Sequence, residues 1–102
     1  MRTLSVGRLR LDLSARAASF NDQPIALTTA EFDLLHALAR RAGHVLSREQ
    51  LLEMVMGNAE LAFDRAVDTQ VSRLRQKLAA VGGDALIRTV RGVGYMLSGA
   101  PK

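Results

Sequence analysis

The sequence predicts a single α+β domain with an N-terminal antiparallel sheet, three helices and a C-terminal β-hairpin. Three observations support this fold class. Apolar residues alternate with polar ones over residues 3–27, and they recur at helical spacing over residues 28–80. A glycine-containing turn then separates two short apolar runs over residues 86–97. The chain of 102 residues is long enough to bury one core, so we expect one domain.

The first third of the chain predicts two pairs of short strands. Leucine and valine alternate with Ser, Arg and Asp over residues 3–13, and Gly7 interrupts the pattern where the first two strands would turn. A second pair is expected over residues 17–20 and 25–27. A polar turn over residues 21–24, which contains proline, would join this pair. These strands would form a small antiparallel sheet.

A capping box marks the start of each of the first two helices. In this motif a hydroxyl accepts a hydrogen bond from the third helical amide, while the side chain at that position accepts one from the capping residue's amide. Thr28 and Glu31 have this spacing at the first helix, and Ser47 and Gln50 repeat it at the second. We expect residues 44–46 to be a short irregular link between the two helices.

The third helix is predicted to have one buried face and one polar face. Its apolar residues recur at i, i+4, i+7 and i+11, namely Val67, Val71, Leu74 and Leu78. The opposite face carries Arg65, Thr69, Ser72, Arg73 and Gln76, with Asp68 and Arg75 on its flank. Asp64 is expected to cap this helix. A loop over residues 56–63, with Gly57 and Asn58 ending the second helix, gives a longer connection than a simple helix-turn-helix has.

The polar face of the third helix suits the base edges and phosphates of DNA. Arg can bond bidentately to guanine and Gln to adenine, and the methyl group of Thr can contact the methyl group of thymine. The alternative is an ordinary solvent-exposed face, but such a face usually mixes both charge signs. No carboxylate lies among the outermost residues here. The face therefore favours a DNA-reading function.

The C-terminal segment predicts a hairpin with a cation at its tip. Residues 86–90 and 95–97 would be the two strands, and Arg91 lies in the turn between Val90 and Gly94. Such a tip can reach a minor groove or a backbone phosphate while the third helix occupies the major groove, and the glycines allow a close approach. The hairpin is thus interpreted as a wing.

The distribution of charge indicates a polyanionic partner. Residues 65–91 contain six cations and two anions, which gives a net charge of +4, and this equals the net charge of the whole chain. The cations and anions of all other residues cancel. An anionic membrane surface would also attract this segment, but its apolar residues are expected to be used by the core.

Composition excludes several other classes of function. The absence of cysteine excludes disulfides and thiolate sites and indicates a reducing, cytoplasmic compartment. No apolar run is long enough to span a membrane, and residues 1–13 do not resemble a signal peptide. His36 has no second histidine or carboxylate cluster at ligand spacing, so we expect a structural histidine, no metal and no cofactor. No catalytic set or phosphate-binding glycine loop is present, so an enzyme is not expected.

Four segments together resemble a known family, the C-terminal winged helix-turn-helix DNA-binding domain of OmpR/PhoB-type response regulators. They are residues 27–35, 43–52, 65–78 and 89–95, and the resemblance covers essentially the whole chain, residues 1–102. Residues 63–66 look most similar to envelope-stress regulators of the CpxR sort. The resemblance implies a four-stranded N-terminal sheet, three helices and a C-terminal hairpin wing.

The resemblance also implies roles for individual residues. Thr69 and Arg73 match positions that face bases. Positions that contact the DNA backbone are matched by Arg65, Ser72 and Arg75, and Gln76 lies on the same helix face. Wing contacts are implied for Thr89, Arg91 and Gly92. A loop that can contact RNA polymerase in this family corresponds to Met56, Gly57, Asn58, Glu60 and Phe63.

The chain departs from the family pattern at three positions. Met56 stands where many members have Trp, and Ser72 and Gln76 stand where Arg or Lys is frequent. Fewer cations on the helix imply weaker non-specific binding and a shallower salt dependence.

The family pattern also implies partners. A receiver domain, phosphorylated by a sensor histidine kinase, is expected in the full-length bacterial protein and absent from this chain. The isolated output domain is expected to be a monomer that pairs on tandem half-sites of double-stranded DNA. The alternative function is a winged-helix protein-interaction module that contacts RNA polymerase or another regulator, because fold alone does not fix function. RNA binding is less favoured, since the four Tyr and Phe residues offer few stacking surfaces.

Overall fold

The computed structural model describes residues 2–55, 61 and 63–99. This part of the chain folds as the predicted α+β architecture, with an N-terminal sheet, three helices and a C-terminal hairpin. In chain order the elements are β1 (Thr3–Val6), β2 (Leu9–Asp12), β3 (Ala17–Phe20), β4 (Gln23–Ile25), α1 (Thr29–Arg40), β5 (Leu46–Ser47), α2 (Arg48–Met54), α3 (Asp64–Ala79), β6 (Ile87–Val90) and β7 (Gly94–Leu97).

The N-terminal sheet has the strand order β1-β2-β3-β4, with every neighbouring pair antiparallel. The predicted position of the fourth strand is wrong, because the turn before it contains only Asn21 and Asp22. Both residues have positive φ angles, 53° and 66°, as in the two-residue turns that match the twist of a hairpin. Phe20 therefore pairs with Gln23, and Pro24 lies within β4. Since β4 is an edge strand, the missing amide of proline is tolerated there.

A second sheet has the strand order β5-β7-β6 and includes a strand that the sequence did not predict. Leu46 belongs to the segment expected to be an irregular link, but it pairs with Tyr95, and Ser47 pairs with Gly94. A Cβ atom on Gly94 would lie 2.0 Å from the carbonyl oxygen of Leu46. Glycine is thus required at this position for β5 to approach the hairpin. The hairpin is thereby attached to the start of α2.

The first helix lies at the centre of the fold. It packs against α2, α3, β1 and β7. Both predicted capping boxes are present, with Thr28 and Glu31 at α1 and Ser47 and Gln50 at α2. The largest fully buried side chains include Leu34, Leu35 and Leu38 of α1, which contribute to one continuous apolar core. None of the described helices has the length and apolar character needed to cross a membrane.

The third helix buries the predicted apolar stripe. Val67, Val71, Leu74 and Leu78 are each at most 1% exposed. The predicted cap is wrong by one residue, because Asp64 is already the first helical residue and Phe63 is the N-cap. The backbone of Phe63 is extended, and its carbonyl accepts hydrogen bonds from the amides of Ala66 (2.9 Å) and Val67 (3.2 Å).

Candidate nucleic-acid interface

The outward face of α3 is exposed as predicted. Its exposed residues are Arg65, Thr69, Ser72, Arg73 and Gln76. The structure shows three ion pairs within the described part of the chain, and none of them includes Arg65 or Arg73. This face therefore presents cationic side chains whose charge is not neutralised by another described residue.

An ion pair to α1 helps to hold α3 in place. Lys77 Nζ lies 2.5 Å from Glu31 Oε1, and the Glu31 side chain is only 3% exposed. The same oxygen accepts a hydrogen bond from the amide of Thr28 at 2.8 Å. Burial alone would raise the pKa of Glu31, but the hydrogen bonds from Lys77 and Thr28 hold it below its ordinary value. One ionised carboxylate thus joins the start of α1 to α3.

A second cluster of polar residues joins α3 to α2 and β7. Asp68 Oδ1 accepts hydrogen bonds from Arg48 Nε (2.7 Å) and from the Tyr95 hydroxyl (2.6 Å). The hydrogen bond from Arg48 is the main reason that the pKa of Asp68 is lowered. Burial, together with the bond to Asp68, raises the pKa of the Tyr95 hydroxyl. Asp68 therefore has its partners on α2 and β7.

The side chain of Arg75 is bonded to the hairpin. Its Nε donates to the carbonyl oxygen of Ile87 (3.2 Å), and its Nη2 donates to Thr89 Oγ1 (2.6 Å). The guanidinium carbon also lies 5.6 Å from the centre of the Tyr95 ring. Arg75, which is expected to contact the DNA backbone, and Thr89, which is expected to make a wing contact, are thus bonded to each other in the free protein. Their expected DNA contacts are predictions that this geometry does not test.

These contacts between elements were not anticipated from the sequence. Glu31 was predicted only as a capping residue, and Tyr95 was given no role. The sequence did contain one indication, because Asp68 is an anion in an otherwise cationic helix. Its partners, however, lie 20 and 27 residues away along the chain, which no local pattern specifies.

The hairpin tip is exposed. Arg91 and Gly92 form the tip with Val93, whose exposed fraction is 51%, and Gly92 has a positive φ of 76°. The amide of Val93 donates to the carbonyl oxygen of Val90 at 3.0 Å, which closes the turn. Arg91 is in none of the ion pairs of the described residues. The tip thus presents a cation beside a short apolar side chain.

An open groove of about 870 Å³ runs along the N-terminal half of α3. It is lined by Thr28, Phe63, Arg65, Ala66, Thr69, Gln70 and Arg73. Phe63 is 74% exposed, whereas Gln70 is buried. The groove therefore has an apolar side and is bordered by two arginines.

Two further predictions concern the loop before α3 and His36. Of the residues expected to contact RNA polymerase, Met56, Gly57, Asn58 and Glu60 lie outside the described residues and Phe63 is described; Leu61 of the same loop is also described and is buried. His36 is half-buried, and its ring centre lies 6.1 Å from that of Phe32. Burial, followed by the charge of Arg40, lowers the pKa of His36. Packing against an aromatic ring is in keeping with a structural histidine.

Comparison with known proteins gives a consistent set of similarities. The family model described as "Transcriptional regulatory protein, C terminal" matches residues 22–97. The chain is 47% identical over 95 residues to the transcriptional regulatory protein PrrA of Mycobacterium tuberculosis, which covers 93% of the chain and 41% of PrrA. It is 42% identical over 99 residues to the transcriptional regulatory protein CpxR of Escherichia coli K12, which covers 96% of the chain and 43% of CpxR. The chain thus spans about two fifths of the length of these curated relatives.

Solved structures of similar domains have the same fold. The DNA-binding domain of Klebsiella pneumoniae RstA, in complex with the RstA box, superposes with a TM-score of 0.81 at 37% identity, covering 96% of this chain and 98% of that one. The DNA-binding domain of CpxR from E. coli superposes with a TM-score of 0.79 at 40% identity, covering 98% and 99% of the two chains.

Proposed function

The chain belongs to the family of transcriptional regulatory protein C-terminal domains, and from this membership we propose that α3 and the β6–β7 hairpin bind specific sequences of double-stranded DNA to regulate transcription. The resemblance to OmpR/PhoB-type response regulators is confirmed. This family consists of regulators and not of enzymes.

One observation supports the proposal most directly. Arg65, Arg73 and Arg91 are exposed on the two elements proposed to bind DNA, and no described residue pairs with any of them. Three cations outside this set, Arg16, Arg48 and Lys77, have carboxylate partners within the protein. Unpaired arginines are suited to guanine edges and phosphates.

The surface favours DNA over a purely protein-binding role. A protein-docking winged helix is expected to expose an apolar patch, since larger exposed patches mark interaction sites. Among the described residues the exposed large apolar side chains are those of Phe63 and Val93, which belong to the α3 N-cap and the hairpin tip. Val93 lies in the hairpin proposed to bind DNA, whereas Phe63 is both the N-cap of α3 and part of the segment 56–63 for which the family resemblance implies a polymerase contact.

The remaining partners follow from the family. We propose that a receiver domain and a sensor histidine kinase control this domain in the bacterial cytoplasm, and that two copies occupy tandem half-sites. The isolated domain is proposed to be a monomer. Contact with RNA polymerase through residues 56–63 belongs to the same proposal and is supported by the family resemblance alone.

A heteronuclear NMR titration tests the central proposal. Duplexes obtained by selection from random sequence would be added to the chain at two salt concentrations. We expect chemical shift changes to concentrate in residues 65–76 and 89–94, with a sequence preference that survives the higher salt. Changes that disappear at the higher salt without sequence preference would contradict the proposal, because non-specific binding is almost entirely electrostatic.

A further inference from the structure

We propose that a pocket between β1, the turn after β2 and α1 binds a small organic anion, with a carboxylate or phosphate group on an apolar body. The pocket has a volume of about 610 Å³, and sites for small molecules usually have about 300 to 1,000 Å³. Its lining residues are Arg2, Thr3, Leu4, Leu13, His36 and Arg40. None of these residues belongs to α3 or to the hairpin, so the site is separate from the proposed DNA interface.

Positive charge is concentrated at this pocket. Arg2 and Arg40 are exposed, and neither is in an ion pair of the described residues. No carboxylate is among the described residues that line the pocket. Like charges held close together repel one another, and an anion placed between them removes this cost. The guanidinium group of arginine is also suited to the anion, because it can donate two parallel hydrogen bonds to a carboxylate or a phosphate.

The pKa of His36 indicates that these charges lie close together. Burial is the main cause of its lowered pKa, and the charge of Arg40 lowers it next, with smaller effects in the same direction from Arg16 and Arg2. The charge of Asp33 acts in the opposite direction, but Asp33 is paired with Arg16 at 2.5 Å. A neutral imidazole has one N–H donor for a bound anion, and a protonated imidazole has two. An anion in the pocket should therefore favour protonation of His36.

A role in helix stability would account for Arg40 alone. Arg40 is the cation in the last turn of α1, where the partial negative charge of a helix C-terminus favours it. This does not account for Arg2, which approaches the pocket from the start of β1. The carbonyl oxygen of Arg2 accepts a hydrogen bond from the amide of Leu13 at 2.8 Å, which fixes the backbone from which the Arg2 side chain extends. The fold thus brings two arginines from distant parts of the chain to one pocket.

The pocket also has an apolar wall. Leu4 and Leu13 are half-buried and pack against the core. A ligand that covers the rest of their apolar surface removes it from water, which favours binding. Small-molecule sites commonly combine such an apolar lining with a few polar groups. The pocket therefore favours an anion with an apolar body over an inorganic anion.

An NMR titration of the histidine side chains tests this inference. The chain contains two histidines, and His44 is an internal control because it is exposed and does not line the pocket. The Cε1 signals of both would be followed against pH in the chain alone and with benzoate, phenyl phosphate, inorganic phosphate or benzamide, at constant ionic strength. Benzoate and phenyl phosphate have both a charge and an apolar ring. Inorganic phosphate lacks the ring, and benzamide lacks the charge.

The organic anions should change the titration of His36 alone. Benzoate or phenyl phosphate is expected to raise the pKa of His36 by about 1, because a nearby anion favours the protonated imidazole, and to leave that of His44 unchanged. A rise of this size means that the anion binds about tenfold more tightly to the protonated form. Inorganic phosphate should need an about fivefold higher concentration for the same effect, since it does not cover the leucines. Benzamide should have no effect.

Two variants separate the pocket from the general charge of this helix end. Arg40→Gln should weaken binding of the organic anion about tenfold, because a charged hydrogen-bond donor is lost. Arg41→Gln is the matched control, since Arg41 is the next residue, is exposed and does not line the pocket, and it should change binding by less than about twofold. Circular dichroism would establish that both variants fold, which is expected at exposed positions.

Three outcomes would overturn the inference. An unchanged pKa of His36 with both organic anions would show that the pocket does not bind them. Equal changes at His36 and His44, or equal losses in Arg40→Gln and Arg41→Gln, would show that the anions respond to net charge alone. Inorganic phosphate that bound as tightly as phenyl phosphate would exclude the role of the apolar wall. None of these results bears on DNA binding, which the duplex titration tests separately.

Discussion

At the scale of single residues, the arginines of this domain differ in the groups to which they are bonded. Arg48 is paired with Asp68, and Arg75 donates to two oxygens of the hairpin. Arg65, Arg73 and Arg91 have no ion-pair partner among the described residues. An arginine with an internal partner has fewer of its five N–H donors, and less uncompensated charge, left for a phosphate or a base. We therefore expect the unpaired arginines to contribute most of the affinity for DNA.

Replacing Arg73 should affect both affinity and sequence preference. Arg73→Ala is expected to cost about 1 to 3 kcal/mol on the selected site and to relax the preference at the base pair that Arg73 reads. Binding to a set of single-base variants of the site would measure both effects. Arg40→Ala, which removes an exposed arginine from the last turn of α1, is the matched control and should leave the preference unchanged. An equal loss of affinity on all duplexes would indicate that Arg73 contacts the DNA backbone and not a base.

Glu31 should make the stability of the fold depend on pH. Its pKa in the folded protein lies below the ordinary value of 4.5. The ionised form therefore stabilises the fold above about pH 4.5, and this contribution is lost as pH falls through the lowered pKa. Glu31→Gln should reduce the free energy of unfolding by about 1 to 2 kcal/mol at pH 7, since Lys77 loses a charged partner.

Urea unfolding between pH 7 and pH 3 would check this dependence. The difference in stability between Glu31→Gln and the parent should narrow as the pH falls below about 4.5, because the parent loses its ionised carboxylate there. Glu49→Gln, at an exposed position in the first turn of α2, is a suitable control and should change stability by less than about 0.5 kcal/mol. A difference that stayed constant down to pH 3 would show that the ion pair with Lys77 is not the source of the stability.

At the scale of secondary-structure elements, polar contacts hold the hairpin and α3 in a fixed relative position. Asp68 of α3 is bonded to Tyr95 of β7, and Arg75 of α3 is bonded to Thr89 of β6. Strand β5 adds a backbone connection between the hairpin and α2. The two elements proposed to enter adjacent grooves are thus ordered before DNA binds, which lowers the entropic cost of binding.

The bond between Arg75 and Thr89 should be visible as an energetic coupling in DNA affinity. Arg75→Ala and Thr89→Val are each expected to weaken binding, and the double variant should lose about 1 kcal/mol less than the sum of the two losses. Fluorescence anisotropy titrations of DNA with the parent chain, the two single variants and the double variant would complete this double-mutant cycle. The control combines Arg75→Ala with Arg91→Ala, and their losses of DNA affinity should add. Additivity between Arg75 and Thr89 would mean that Arg75 acts on DNA directly, as the family resemblance implies.

Local patterns predicted the elements of this fold well, and the contacts between elements poorly. The capping boxes at Thr28 and Ser47 involve residues three positions apart, and both are present. Strand β5 was missed because two residues carry no periodicity, and its existence depends on a glycine almost fifty residues later. The same limit applies to the site, since the exposed face of α3 follows from helical spacing, whereas the bond from Arg75 to Thr89 follows from tertiary packing.

At the scale of the whole molecule, the net positive charge of +4 is concentrated in one part of the chain. Residues 65–91 contain the excess of positive charge, but Lys77 is neutralised by Glu31, which lies outside that segment. In turn Asp68, an anion within the segment, is neutralised by Arg48. These two ion pairs remove one cation and one anion, so the net charge of the segment stays at +4 and is carried by its arginines. We expect the number of phosphates neutralised to be small.

The salt dependence of binding should report how many phosphates the protein neutralises. The logarithm of the affinity falls with the logarithm of the salt concentration by about 0.9 for each phosphate that is neutralised. Ser72 is exposed on α3 at a position that the family resemblance assigns to the DNA backbone, and it carries no charge. Ser72→Arg should therefore steepen the slope by about 0.9 and strengthen binding to specific and random duplexes alike. Affinities measured between 50 and 200 mM salt, about the range over which phosphate contacts change affinity most visibly, would give the slope.

A matched control distinguishes a new phosphate contact from a change in overall charge. Ser14→Arg adds the same charge in the exposed turn between β2 and β3. Ser14 belongs to neither element proposed to bind DNA, so this variant adds no phosphate contact there and should keep the parental slope. Equal slopes for Ser72→Arg and Ser14→Arg, both steeper than that of the parent, would indicate that net charge alone governs binding. A slope that steepens only for Ser72→Arg would place this turn of α3 against the DNA backbone, as a helix lying in the major groove requires.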